Sequence, residues 1–330
     1  MNPVEWYRNK RIVITGGLGF IGSTLAHRLV GYGARVRVVD AALAGSGANP
    51  LNIRGIESAI ELWHADLRDH NVIETMLVDQ DVLFNLAAQA GHLASMEDPE
   101  TDLTINATCQ LRIAEACHRL NPTLKIVHTA TRQMYGRTHE LPIDEDHAIN
   151  PIDYNGVSKR AGELYLLVGH RAHGLRVTSL RLTNTYGPRM HCRDARQHFL
   201  GDWVRRLLTD QPILIFGNGS QIRDFNYVDD VVAALLSAAA EPSTDGRVYN
   251  LGSDEPISLT DLAQTLIAVN GRGRIEYTPF PPDRQRIDIG DYHGDFTRIH
   301  AALAWAPTTS LRTGLASTLA FVNQQRAGYL

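Results

Sequence analysis

The sequence predicts an α/β fold: a Rossmann-type doubly wound parallel sheet with a smaller α/β substrate-binding domain. Three observations predict it. A strand, a glycine turn, a helix and a second strand follow one another over residues 11–40. Short apolar strands then alternate with helical stretches, the pattern of a parallel sheet covered on both faces. Beyond Asn184 that alternation loosens into loops and shorter elements.

Arg11–Thr15 (RIVIT) reads as a buried strand and Gly16–Gly22 as a tight turn. Phe20–Val30 has apolar residues at helical spacing, and Val36–Asp40 reads as the second strand. Further strands are expected at Val82–Ala87, Lys125–Thr129 and Val177–Leu182, with helices over Thr101–Arg119 and Val157–Ala172 between them. A long loop rich in Gly, Pro, Arg and His should run from Asn184 to Phe199. A helix (Leu200–Leu208), a strand (Ile213–Phe216), a helix (Asp229–Ala240), a strand (Val248–Leu251) and a helix (Leu259–Asn270) should follow. The expected division is a dinucleotide-binding domain over residues 1–183, with 225–254 returning to it. Residues 184–224 and 255–330 then form the substrate domain, packed on the first rather than tethered to it.

Composition narrows the function classes. With 330 residues, roughly 150 per domain allow one large domain or two smaller ones. At 44% hydrophobic and 21% charged residues, the chain can build a sizeable core. A net charge of −4 gives no footprint for nucleic acid. Three cysteines (Cys109, Cys117, Cys192) make neither a disulfide framework nor a metal-ligand spacing, and no metal is expected. The opening MNPVEWYRNK lacks the apolar segment of a signal peptide. The longest apolar run, Val231–Ala240, is about half of what a membrane span needs. A soluble cytoplasmic protein is the expectation.

The turn Thr15-Gly-Gly-Leu-Gly-Phe-Ile-Gly22 carries the strongest chemical signal. Its glycines let backbone approach a pyrophosphate, and the following helix offers free N–H groups to the phosphates. Asp40 ends the second strand 18 residues after Gly22, where a carboxylate accepts both ribose hydroxyls of NAD and repels the 2′-phosphate of NADP. Asp66-Leu67 can meet an adenine ring, and Asn85-Leu86-Ala87-Ala88 ends a strand with small residues that leave room for a cofactor. The expected NAD site is therefore Gly16, Gly19, Phe20, Ile21, Gly22, Asp40, Asp66, Leu67, Leu86, Ala87 and Ala88, joined by Lys159.

Together these pieces resemble the extended short-chain dehydrogenase/reductase family, in particular its nucleotide-sugar epimerases and dehydratases. The resemblance runs through TGGLGFIG, Asp40, HADLRD (64–69), NLAAQ (85–89), Asn106, HTATRQMYG (128–136) and GVSK (156–159). It continues through RLTNTYGPR (181–189), RDFNYVDD (223–230) and LAWAP (303–307). It implies NAD that takes a hydride from a sugar and returns it, with a Ser/Thr, a Tyr and a Lys around the reacting hydroxyl. Thr131 and Lys159 match the first and last. The Tyr position, four before the Lys, holds Asn155, and an amide cannot act as a base near neutral pH.

Tyr154 lies one residue early, about 100° around a regular helix. If Asn155-Gly156 starts the helix late, Tyr154 can swing into the site, and it is taken as the catalytic phenol. The alternatives are that Tyr154 only lines the sugar pocket while another base such as His92 serves, or that catalysis has been lost. Arg132-Gln133 stands where 4,6-dehydratases carry an Asp-Glu pair, and neither residue exchanges protons near pH 7. Gln89, His92, Gln133 and Asn155 are expected at the sugar, and Asn184, Arg223, Arg284 and Arg286 at the diphosphate. The expected activity is NAD-dependent epimerisation of a nucleotide-diphosphate sugar, at C4. Other NAD-linked sugar modifications, or a catalytically silent NAD-binding protein, are the alternatives. The resemblance also implies a homodimer through Thr101–Arg119 and Val157–Ala172.

Overall fold

The computed structural model describes residues 3–330 except residues 44 and 194–197. Its centre is a seven-stranded parallel sheet built from β1 (Arg11–Thr15), β2 (Arg35–Asp40), β3 (Ile60–His64), β4 (Val82–Asn85), β5 (Lys125–Thr131), β6 (Arg176–Leu182) and β7 (Arg247–Leu251). The spatial order is β7-β6-β5-β4-β1-β2-β3. The order reverses between β1 and β4, and in such sheets the crevice at that point receives the ligand.

Helices cover both faces. On one side α1 (Phe20–Gly31) and α6 (Val228–Ala240) pack over Ile12, Ile14, Val38 and Phe84. On the other, α2 (His70–Leu77), α4 (Cys109–Leu120) and α5 (Tyr154–His173) cover Val13, Val39, Leu83 and Ile126. Successive residues of β1 thus feed opposite cores, as the two-residue strand period requires. The short α3 (His92–Glu97) packs on the start of α5. A separate apolar cluster after residue 185 joins Tyr186, Leu200, Trp203, Leu262, Leu266 and Leu315 around short two-stranded pairings.

Three elements differ from expectation. The helix expected over Thr101–Arg119 is an α-helical turn (Pro99–Leu103), a π-helical segment (Thr104–Thr108) and α4. The loop expected from Asn184 to Phe199 contains a strand, Asn184–Tyr186, paired in parallel with Phe225–Tyr227. The third departure bears on function: α5 does not start late. Asp153 accepts a hydrogen bond from the Gly156 N–H at 2.7 Å and caps the helix so that it begins at Tyr154.

Helix α5 is anchored by a buried ion pair. Glu163 Oε1 lies 2.7 Å from Arg181 Nη2 on β6, and Ser179 Oγ donates to Glu163 Oε2 at 2.9 Å. Burial works against the Glu163 charge, yet Arg181 holds its carboxyl below the usual range. Arg181 Nη1 also donates to Tyr135 Oη at 2.7 Å, which donates in turn to Asn250 Oδ1 on β7 at 2.6 Å. One polar chain thereby ties helix, sheet and the turn after β5 into a fixed frame.

Candidate active site

The carboxyl ends of β1, β2, β4 and β5 open into a cleft of about 380 Å³, within the usual ligand-site range of ~300–1,000 Å³. At one end stands the glycine turn. Gly16 has φ +73°, and a Cβ there would meet the Ala87 backbone nitrogen at 2.9 Å. A Cβ on Gly22 would meet the Gly16 carbonyl oxygen at 2.3 Å. The turn must stay bare, and α1 begins there with no side-chain cap, so its first N–H groups are left to a ligand.

Asp40 is buried at the end of β2 and lines the cleft. Its carboxylate accepts from the Leu18 N–H at 2.9 Å and the Ala42 N–H at 2.8 Å. Burial nevertheless raises its pKa above the usual range, so a further pair of donors, such as ribose hydroxyls, would relieve it. Asp66 also lines the cleft; bonding from Arg68, whose Nη2 lies 2.6 Å from Asp66 Oδ2, lowers its pKa. Bare turn, uncapped helix and strand-end carboxylate fit a dinucleotide. All twelve residues expected to hold it line this one cleft.

The other end holds the residues expected at the reacting hydroxyl. β4 stops at Asn85, opposite His128, while β5 runs on to Thr131 and so carries that residue into the cleft. The Thr131 hydroxyl accepts from the Gln133 N–H at 3.2 Å. Lys159 lies on α5 with its Nζ donating to the Thr129 carbonyl at 3.3 Å. Burial brings the Lys159 pKa down to about 8, and Asp102 opposes that fall. His128, buried beneath on β5, is held neutral, its pKa lowered to about 3 by burial and then by Lys159. Gln133, His92, Asn155 and Asn184 line the same space.

Tyr154 does not. With the helix started by Asp153, Tyr154 points outward, 49% exposed and away from the cleft, so the geometry contradicts its expected role as the catalytic phenol. Asn155 takes the inward place. Its Nδ2 donates to the Gln89 carbonyl at 2.7 Å and to Asp102 Oδ2 at 3.0 Å, and both amide protons are thereby used. Gln89 contributes that carbonyl, which also accepts from Asn106, and it is not among the residues lining the cleft.

The expected diphosphate arginines need correction too. Arg223 is buried and turned to its own surroundings, donating to the carbonyls of Ile222 at 2.8 Å and Gly290, with Nη2 3.3 Å from Asp288 Oδ1. Arg284 stacks over Phe216, its guanidinium carbon 5.2 Å from the ring centre, and Arg286 is exposed; neither lines the cleft. Sequence reasoning missed the cation that does. Arg132 lines the cleft, stacks over Tyr292 and donates from Nη2 to Asn184 Oδ1 at 3.2 Å. Its Nη1 is shielded from solvent with no partner among the described residues. Burial and then Arg223 lower its pKa to about 10. Asp102 and Asp153 were also missed. The signal for Asp153 was present, an Asp three residues before a helical glycine, which is N-cap spacing. No group of metal-ligating side chains occurs among the described residues, and the run His191–His198 lies partly outside them, at 194–197.

The cleft and sheet define a dinucleotide-dependent enzyme of the extended short-chain type. The profile of the NAD dependent epimerase/dehydratase family matches residues 12–252, and the chain belongs to that family. It is 32% identical over 316 residues to a UDP-glucose 4-epimerase of Mycolicibacterium smegmatis, covering 94% of this chain and 98% of the relative. Among solved structures, a Thermotoga maritima UDP-glucose 4-epimerase with UDP-glucose matches with a TM-score of 0.87 and 28% identity, over 96% of this chain and 99% of that one. A Bacillus cereus UDP-glucuronic acid 4-epimerase, in complex with UDP-glucuronic acid and NAD, matches with a TM-score of 0.85 and 28% identity over the same shares. The cofactor is NAD. Because a Cβ at residue 22 collides with fixed backbone, Gly22→Ala should weaken NAD binding by about tenfold or more at unchanged far-UV circular dichroism. Calorimetric titration checks this, and wild-type affinity in the variant would refute the placement of the pyrophosphate.

Proposed function

We propose that the chain interconverts UDP-hexoses differing at C4, and that its preferred sugar carries a carboxylate. The observation that carries the first part is the composition of the reacting end. Thr131 and Lys159 frame a site for hydride exchange, while Arg132 and Gln133 occupy the turn beside it. An elimination needs groups there that give and take protons; a guanidinium and an amide do neither near neutral pH. Epimerisation asks for less: NAD held along Gly16–Gly22 and Asp40 would supply the hydride exchange, and the chain's own residues need only hold the sugar and its reacting oxygen. Thr131 orients the reacting oxygen through its hydroxyl, and Lys159 supplies positive charge beside it.

Arg132 favours an anionic sugar. Arg132 is a guanidinium in the cleft wall, and guanidinium binds a carboxylate with charge-assisted and often bidentate bonds. The similarity to a UDP-glucuronic acid 4-epimerase points the same way.

We infer in addition that two copies associate through α5. Tyr154, Val157, Leu164, Tyr165 and Val168 form an exposed apolar stripe at helical spacing, extended by Leu103. The cytoplasmic assignment rests on the three buried free thiols, which suit a reducing compartment.

Four measurements test this reading. A proton NMR time course without added cofactor should convert UDP-glucuronate to a fixed ratio of two C4 epimers, and UDP-glucose more slowly. Arg132→Ala should cost UDP-glucuronate about 10–100-fold more in kcat/KM than UDP-glucose, the loss of one charged hydrogen bond of about 1.5–3 kcal/mol. Equal losses would assign Arg132 to the diphosphate. The protonated Lys159 is the form that contributes charge, so kcat/KM should fall as pH rises through about 8. A flat alkaline profile would remove Lys159 from that role. Light scattering should give a dimer that Val168→Glu converts to monomer, and a wild-type monomer would refute the α5 interface.

A further inference from the structure

We infer that His92 and Asp153 form the proton-exchanging pair of this site, doing the work of the phenol that Asn155 excludes; this rests on the epimerase reading above. The frame for hydride transfer is complete but contains no phenol. Tyr154 faces outward and the Asn155 amide protons are both donated. Of the other titratable groups lining the cleft, Asp40 and Asp66 belong to the dinucleotide end, Lys159 and Arg132 are cations, and His191 and His198 lie in the segment after Asn184–Tyr186, off the scaffold that carries Thr131 and Lys159. His198 has its Nε2 2.8 Å from the Thr185 carbonyl, on the strand after Asn184.

His92 is placed differently. It opens α3, directly after the strand-end residues of β4 that line the cleft. Helix α3 is bolted to the start of α5, since the Asn155 N–H donates to Ser95 Oγ at 3.2 Å and that hydroxyl donates to the His92 carbonyl at 2.7 Å. The imidazole Nδ1 lies 2.9 Å from Asp153 Oδ2, in ion-pair contact and at hydrogen-bond distance, although the ring is not aligned for a hydrogen bond there. The same carboxylate oxygen accepts from Gln133 Nε2 at 2.9 Å, and the Gln133 N–H donates to Thr131 Oγ1. Pair and threonine therefore share one scaffold. The Asp153 side chain is fully buried, whereas the imidazole is 39% exposed, toward the open cleft.

That asymmetry has a chemical consequence. A carboxylate at Nδ1 fixes the tautomer with its proton on Nδ1 and leaves the Nε2 lone pair for a substrate hydroxyl. In the forward step the hydroxyl proton passes to Nε2 as the C–O bond becomes C=O, and the C–H electron pair leaves as hydride to bound NAD. The return step puts hydride on the opposite face, and the Nε2 proton goes back to the oxygen. Sugar carbon and cofactor are each oxidised and reduced once, so nothing is consumed. Asp153 is a positioning residue here: it orients the ring and stabilises the imidazolium.

The test uses the full-length, NAD-loaded protein with UDP-glucuronate and UDP-glucose. His92→Gln should lower kcat by about 10²–10⁴-fold, the usual worth of a general acid–base group, and leave the Kd of the UDP-sugar within about threefold. Free imidazole should restore part of the turnover of His92→Ala. Asp153→Asn keeps a capping oxygen, and it should lower kcat about tenfold or more without weakening sugar binding. A His92→Gln enzyme that turns over within about threefold of wild type overturns the proposal. If wild type binds these sugars but converts none, the epimerase reading fails separately. The pair is then judged by ¹⁵N NMR of the His92 ring, where a proton on Nδ1 and a bare Nε2 support it and the opposite tautomer overturns it.

Discussion

The Asp153 carboxylate is the contact on which the site depends, because it decides where α5 begins and therefore which way every residue of that helix faces. By accepting the Gly156 N–H it makes Tyr154 the first helical residue. Steps of four then place Asn155, Lys159 and Glu163 on one buried face. Tyr154, Val157, Leu164 and Val168 fall on the opposite, exposed one. A start one residue later would leave Tyr154 free of that phase. The cap forbids it. The same carboxylate reaches Gln133 on the turn after β5 and His92 on α3, so helix phase and site geometry are set together.

Holding α5 at that phase requires more than a cap. Glu163 lies one turn beyond Lys159, and its pairing with Arg181 fixes the helix against β6. Buried ion pairs return little net stability once desolvation is counted, and breaking one costs about 3–5 kcal/mol. Their value here is positional. Arg181 binds Tyr135 as well, and Tyr135 sits in the 3₁₀ turn that begins with Arg132. Lys159, Thr131 and Arg132 are thus registered against each other through one buried polar chain, on three different elements.

What the sequence discloses and what it hides divide along the distance of the interactions. The dinucleotide end was legible because its requirements are local: a bare turn, a helix start and a strand-ending acid within about thirty residues. The sheet was legible for the same reason, as strand period and apolar runs are properties of single segments. The far end of the cleft was legible only where β5 and α5 each carry a motif, which brings Thr131 and Lys159 to its wall. Asp102 and His92 act by meeting α5 across more than fifty residues of chain, and no local pattern reports such a meeting. Arg223 misled for the converse reason. It stands in a motif, but its guanidinium is consumed by carbonyls and Asp288 of a segment some 65 residues away. The start of α5 is obscured because Asn155-Gly156 carries a helix-breaking signal, which the capping Asp153 just before it overrides.

Asn155 is bound to its neighbours too firmly to be an isolated replacement. Its amide and that of Asn106 both donate to Asp102 Oδ2, and both also donate to the Gln89 carbonyl. Asp102 is fully buried, and its carboxylate is the nearby countercharge that opposes the fall in Lys159 pKa. A phenol at residue 155 would withdraw one donor from Asp102 and one from Gln89, at about 1–3 kcal/mol for each buried acceptor left short. Asn106, Asp102, Gln89 and Asn155 therefore behave as one unit. Within it the inward position of α5 serves structure, and proton exchange has to come from a group anchored outside the helix. The cap residue supplies that anchor, since a carboxylate already buried to start α5 needs only a neighbouring imidazole to extend its influence into the cleft.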